Sequence, residues 1–209
     1  MSLLLLVAAL QLSRAEPLRA PPIDQCGDDP TFVEYREKLA GAIALKDADA
    51  LRPLVDREIK YNFGPDGDGG WSGFVREWNL DRPADSELWL ELSEVLSLGC
   101  AWNDGQPTAP SNFSSLSELD HSLPVYFAVH KGAAFRTRPD DSAPLVMELE
   151  DHVLLENVDV APEGWLNAQL TDGRTGFVRM SAVRSAIDYR AGFERRDGKW
   201  VMTFFIAGD

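Results

Sequence analysis

The residues with the most chemical potential in this chain fall into groups, and each group lacks a part that a reaction would need. The segment from Asp66 to Glu77, DGDGGWSGFVRE, sets carboxylates at the first, third and twelfth positions of a calcium-loop register. Its fifth position is Gly70, which offers no side-chain oxygen, and its sixth is Trp71, where the sharp turn of that loop needs Gly. A flexible turn is the expectation, and no metal is assigned. His121, His130 and His152 are isolated, with no spacing that pairs them as ligands and no Cys to join them. The stretch SNFSSLSELDHS brings Ser, Asp and His close along the chain. Catalytic groups must converge in space, however, and no nucleophile-elbow pattern surrounds these residues. No catalytic residue and no cofactor follow from the sequence.

Two further groups concern binding. Tyr61, Phe63, Trp71, Phe74, Trp78 and Trp89 crowd one helical stretch. They could line a pocket for an apolar or sugar ligand, but aromatics at helical spacing ordinarily bury area as core. Asp56, Glu58 and Lys60 alternate through a strand-like segment, either as a solvated face or as polar groups inside such a pocket. Near the C-terminus, Arg184, Asp188 and Arg190 are placed to form an ion-pair cluster where two parts of the chain join. Tyr189 and Arg190 are the first contacts expected for a ligand held there.

The elements that must position these residues change character near residue 105. Before it, apolar spacing is helical. Asp29-Pro30 opens a helix with an acidic cap and Pro at its first position, followed by the stripe Phe32, Tyr35, Leu39, Ile43 and Leu45. Asp47 caps a short second helix, Glu58 to Phe63 reads as a strand, and Trp71 to Trp78 begins another helix. Asp85 or Ser86 caps a last helix through Leu88, Leu92, Val95 and Leu96, which Gly99 ends. Residues 105–123 read as a linker by composition. Short strands follow at 125–129, 133–136, 145–149, 153–158, 165–170 and 175–178, with Asp172-Gly173 as a tight hairpin turn. Many short strands with polar turns predict a small barrel over 124–186. Residues 187–209 form a terminal hairpin turning at Asp197-Gly198, which either packs on the helices of residues 28–104 or extends the barrel sheet. The expected class is α+β.

The N-terminal run Leu3 to Leu10, ending in Ser13-Arg14-Ala15, has the length and small residues of a signal peptide cleaved after residue 15. Pro17, Pro21 and Pro22 break the chain where a helix would continue. Cys26 and Cys100 both follow that site and are expected to pair in an oxidising space. The formal charge of -14 disfavours nucleic acid, anionic lipid and anionic wall polymers as partners. No later stretch reaches the roughly 20 apolar residues of a membrane span, so no membrane insertion is expected after cleavage.

Residues 124–186 resemble a bacterial SH3-like domain. Phe135, Arg136 and Pro139 match its apolar-Arg-x-x-Pro turn, and Leu149-Glu150-Asp151 matches its acidic turn after an apolar strand. Gly164-Trp165 matches the pair that opens its central strand, and Asp172, Gly173, Gly176, Phe177 and Val178 match its closing motif. The resemblance implies a wall- or protein-binding module, with Arg136 and Trp165 as candidate binding residues beside Tyr189 and Arg190. LPVYFAVHKGAAF lacks the tyrosine motif of the polyproline-binding version, so that ligand is not carried over. The N-terminal helices and the ending FERRDGKWVMTFFIAGD are similar to parts of nuclear-transport-factor-2-like α+β domains. The sequence therefore predicts a periplasmic or secreted, non-enzymatic adaptor of the cell envelope that contacts a protein or wall component. The alternative is a small-ligand protein or minor enzyme with a pocket around Tyr61, Trp71 and Trp78.

Overall fold

The computed structural model describes residues 15–64, 69–112 and 124–208. The leader, Asp66 and Asp68 of the calcium-like register, and most of the Ser-Asp-His stretch with His121 lie outside them. In chain order the helices are α1 (Pro30–Leu45), α2 (Ala48–Leu51), α3 (Gly70–Glu77) and α4 (Leu88–Ser97). The strands are β1 (Val55–Lys60), β2 (Ala101–Asn103), β3 (Gln106–Ala109), β4 (Val125–Ala128), β5 (Ala133–Arg136), β6 (Leu145–Leu149), β7 (Leu154–Asp159), β8 (Trp165–Leu170), β9 (Thr175–Arg179), β10 (Val183–Ser185), β11 (Arg190–Arg196) and β12 (Lys199–Ile206). The α+β class holds, with two sheets.

The first sheet runs β1-β12-β11-β3-β2 and draws on both ends of the chain. β1 lies parallel to β12, and the other pairs are antiparallel. The terminal hairpin thus packs with the helices rather than on the second sheet. Asp29 caps α1 by accepting from the amides of Thr31 (2.8 Å) and Phe32 (3.1 Å), which satisfies two donors that have no partner within the helix. Of the expected α1 stripe, Phe32, Tyr35, Leu39 and Ile43 are buried against Phe74 and Trp78 of the α3 segment, Leu92 of α4, and Phe193, Met202 and Phe205 of the sheet, while Leu45, the last residue of the helix, is 77% exposed. α3 crosses close to the end of β1: a Cβ on Gly73 would stand 2.1 Å from the Tyr61 hydroxyl, so only Gly fits there. The other face of this sheet carries Asp56, Glu58 and Lys60 beside a surface groove, as a solvated strand face should.

β2 and β3 fall partly in the segment that composition marks as linker. Asn103-Asp104-Gly105 is a hairpin turn, and β3 pairs with β11 through Ala109 opposite Ala191. The strand predicted at 58–63 is β1, five residues of which precede Lys60, because Arg52–Leu54 forms a 3-10 turn that delivers the chain at Val55.

The second sheet, β10-β4-β7-β8-β9-β5-β6, is antiparallel throughout and lies between the two halves of the first along the sequence. Its core is smaller and mostly aliphatic: Ala128, Phe135, Leu149, Val153, Leu155, Leu166, Ala168, Leu170 and Val178. Gly176 sits where a Cβ would stand 2.7 Å from the Arg136 carbonyl oxygen, the close backbone approach that a tightly bent small sheet demands.

Residues 18–25 strap the two sheets together. The Leu154 amide donates to the Leu18 carbonyl (3.0 Å) and the Ala20 amide to the His152 carbonyl (2.8 Å). Five residues on, the Gln25 amide donates to the Cys100 carbonyl (2.8 Å) and the Cys100 amide to the Ile23 carbonyl (2.9 Å). The expected disulfide is formed: Cys26 and Cys100, 0% and 2% exposed, are bridged with Cα atoms 5.7 Å apart. A small third cluster, Val125, Phe127 and Leu154 with Ala20, Leu98, Val129 and Ala186, fills the seam beneath the strap. Among the described residues no helix is long and apolar enough to cross a membrane.

Candidate functional site

An acidic concavity lies where α4 meets the second sheet. Glu87, Glu91, Glu94 and Leu98 follow one another at four-, three- and four-residue steps, so they share one face of α4. The neighbouring face, with Leu88, Leu92 and Val95, is buried in the core and fixes the rotation of the helix. The acidic face is thereby turned to the junction. From the opposite wall come Val129 and His130 after β4, Met180 and Ser181 before β10, and Val183, Arg184 and Asp188. Together they line a cleft of about 320 Å³.

Arg184, 6% exposed, is the cation at the base of this cleft. Its Nη1 lies 3.2 Å from Glu94 Oε2 and 3.6 Å from Asp188 Oδ2, and its Nη2 donates to the Tyr189 carbonyl at 3.1 Å. One guanidinium faces several carboxylates. Burial pushes the Glu91 carboxyl above the usual carboxylate range, and the charge of Asp188 adds to the shift against the opposing pull of Arg184. The Tyr189 hydroxyl is likewise pushed up, first by burial and then by Glu91, Glu77, Asp188 and Glu87. Tyr189 stacks on Phe205 with ring centroids 5.0 Å apart and touches Trp78 at the same distance. On its other side a second notch, about 340 Å³, is lined by Glu77, Trp78, Asn79, Asp85, Ser86 and Glu87. Such a surface attracts a cationic group and repels an anionic one. Among the described residues no hydroxyl hydrogen-bonded to His130 lines the first cleft, and no group of three or more His, Cys, Asp or Glu is placed to hold a metal.

The structure sorts the sequence candidates by role. Arg184 and Asp188 do pair, as their spacing suggested. Arg190, 8% exposed, instead donates to the carbonyls of Gly208 (2.6 Å) and Ile187 (3.4 Å) and lies 5.6 Å over the Phe63 ring. Arg136 donates to the Ala143 carbonyl at 2.7 Å, so it holds its own turn closed. Trp165, 8% exposed, is covered by the Arg179 guanidinium at 4.1 Å, and Arg179 is anchored by Asp141 (Nε to Oδ1, 3.2 Å). Of the four binding candidates, Tyr189 borders the second hollow. Tyr61 and Trp78, each 7% exposed, belong to the core of the first unit, while Trp71 lies half-buried under Arg52 at 4.9 Å. No Asp or Glu is among the buried residues of that unit.

Sequence reasoning missed Glu91, Glu94 and the placement of His130. The signal was present as an acidic stripe beside the apolar one on α4, but a charged helix face reads as solvated until another unit is known to cover it.

No family model matches this chain, and no curated protein matches it.

Proposed function

We propose that this is an exported, non-enzymatic binding protein of the cell envelope, in which an SH3-like barrel is mounted on an α+β unit and the acidic cleft between them receives a cationic group of a protein or wall component. The observation that carries the reading is the joint ownership of the cleft. Glu91 and Glu94 come from one unit and Val129, Ser181 and Arg184 from the other, so a ligand there touches both. Supporting the barrel is the 3-10 turn Met180–Ala182, which leads into the short strand β10 beside β4, together with the β5–β6 hairpin whose Arg136 locks its loop. Supporting export is the buried disulfide, which persists in oxidising compartments. Supporting binding rather than catalysis is the filling of the first unit by aromatic side chains, with no Asp or Glu among its described buried residues.

The test is retention on isolated cell wall and co-purification from envelope extract, for the wild type and for the double variant E91Q/D188N. Enrichment that the double variant loses supports the reading. No enrichment of the wild type in either experiment overturns it.

A further inference from the structure

We infer that the corner formed by Trp102 and Trp200 is a sugar-binding platform, which takes a neutral oligosaccharide through the apolar face of a pyranose ring. The two indoles come from β2 and β12, strands separated in the first sheet by β3 and β11, with centroids 6.3 Å apart and planes inclined by 58°. Trp200 is half-buried and packs edge-on against Phe32 at 5.0 Å, so core packing accounts for it. Trp102 has no such account. It is 39% exposed, lies on an edge strand, and is not part of the core cluster.

Both rings are nevertheless held in place. The Trp102 indole Nε1 donates to the Gln25 carbonyl (3.3 Å), and its amide donates to Gln25 Oε1 (3.2 Å). The Trp200 indole Nε1 donates to Thr31 Oγ1 (3.0 Å). Gln25 is itself fixed by the strap and stands next to the Cys26–Cys100 bridge. An exposed tryptophan whose indole and backbone N–H groups are both committed offers its ring, not its polar edge, to a ligand. A rigid exposed aromatic loses little entropy on binding, which is the economy that binding surfaces obtain from Trp.

The fringe of the corner selects the ligand. The Gln25 carboxamide keeps its N–H₂ without an acceptor among the described residues, since its oxygen takes the Trp102 amide. Arg195 lies over the Trp200 ring at 5.1 Å and donates to Thr31 Oγ1 through Nη2, which leaves its other N–H groups without an acceptor among the described residues. An apolar ring bordered by hydrogen-bond donors matches a pyranose, with C–H groups on one face and hydroxyl or acetamido oxygens at its rim. A proline-rich peptide also offers carbonyl acceptors, and the titration below separates the two ligands. A formal charge of -14 selects against acidic polysaccharides. Sugar recognition here does not depend on the junction cleft; that the sugar is a wall glycan rests on the envelope reading.

The experiment is a titration of the full mature chain with the β-1,4-linked tetramer of N-acetylglucosamine, followed by calorimetry and by the indole N–H signals in NMR. Saturable shifts confined to Trp102 and Trp200 are expected, with binding at least tenfold weaker in W102A at an unchanged melting temperature. R195Q, which keeps both indoles, should weaken binding several-fold and serves if W102A does not fold. Absence of saturable shifts overturns the inference, as does undiminished binding by W102A and R195Q. Shifts produced by a proline-rich decapeptide in place of the tetramer overturn it too. Tetramer binding with no enrichment on isolated wall or from envelope extract would sink the envelope reading and leave the sugar site standing; wall retention that survives W102A with no tetramer binding would do the reverse.

Discussion

The two units solve the problem of a small core in opposite ways. The first buries large rings: Phe32, Phe74, Phe193 and Phe205 are each 0% exposed, and Tyr35, Trp78 and Trp89 are nearly so. Four helices on one sheet enclose enough volume for them. The second has one thin sheet and fills it with Leu, Val and Ala around Phe135. It then closes its periphery with surface fasteners: Arg179 over Trp165, Arg136 on the Ala143 carbonyl, and Arg174 on Asp172 (2.7 Å). The lesson is that the same residue types, Trp and Arg, are core and seam in one unit and cladding in the other. Their presence in a motif therefore does not mark a binding site. The groups left over, at the junction and at the Trp102 corner, are where the two solutions end.

That contrast can be broken by mutation. Phe193→Ala should cost about 3–5 kcal/mol and Leu155→Ala about 2–5 kcal/mol, as large-to-small core changes do. If the strap and the seam under it join the units as described, both changes shift one denaturation transition read by circular dichroism and by tryptophan fluorescence. Two separate transitions would show that the seam is too weak to couple them.

Removing the disulfide with C26A/C100A should cost about 4 kcal/mol, since the bridge closes a long loop; the two cysteines are 74 residues apart. Both cysteines lie in the first unit and its strap. Amide hydrogen exchange should therefore accelerate in α1, α4 and β2 before it does in β7 and β8. Uniform acceleration would contradict the placement of the bridge in one unit. Gly176→Ala tests the other unit, where a methyl group must displace the Arg136 carbonyl. It should cost roughly 1–3 kcal/mol by overpacking, whereas the same change at Gly198, whose added Cβ would meet nothing within 4 Å, should act only through its left-handed backbone.

The smallest expected effect is a dependence on pH at the strap. His152 lies beneath Ala20, with its Nδ1 buried and without a partner among the described residues. Burial holds the imidazole below its ordinary value, Arg19 pushes the same way, and Asp151 opposes both. A folded-state pKa below the unfolded one gives stability that is complete above the unfolded value, about 6.5. It is lost as pH falls from there toward the folded value. Glu91 is shifted up, so its contribution is complete below the ordinary carboxylate pKa and is lost as pH rises through its folded value. H152Q should flatten the loss of stability as pH falls below about 6.5, measured by urea midpoint, whereas E91Q should flatten the loss that sets in as pH rises above the ordinary carboxylate range. An unaltered slope in H152Q would contradict the assignment.

Much of the fold was legible because it is local. The α1 stripe, the Asp29 and Asp47 caps and the Asp172-Gly173 turn each settle their own few residues, and the second sheet's strands alternate as expected. The β2–β3 hairpin was not legible. Asn103-Asp104-Gly105-Gln106-Pro107 has the composition of a loop, and Pro107, Thr108 and Ala109 are buried only because β11, more than 80 residues later in the chain, lies alongside. The candidate site was legible in half. Arg184 and Asp188 announce themselves by spacing and charge. Glu91 and Glu94 look like any solvated helix face, and only the docking of a second unit makes them a wall.

The most direct test of the account is a backbone-amide NMR map of the chain, recorded as it is titrated with whichever wall fragment or envelope component the retention experiments enrich. Shifts gathered on Glu91, Glu94, Val129, Ser181, Asp188 and Tyr189, and abolished in E91Q/D188N, are the predicted result. Shifts that avoid the junction and gather on the polar face of the first sheet, around Asp56, Glu58 and Thr203, would contradict it.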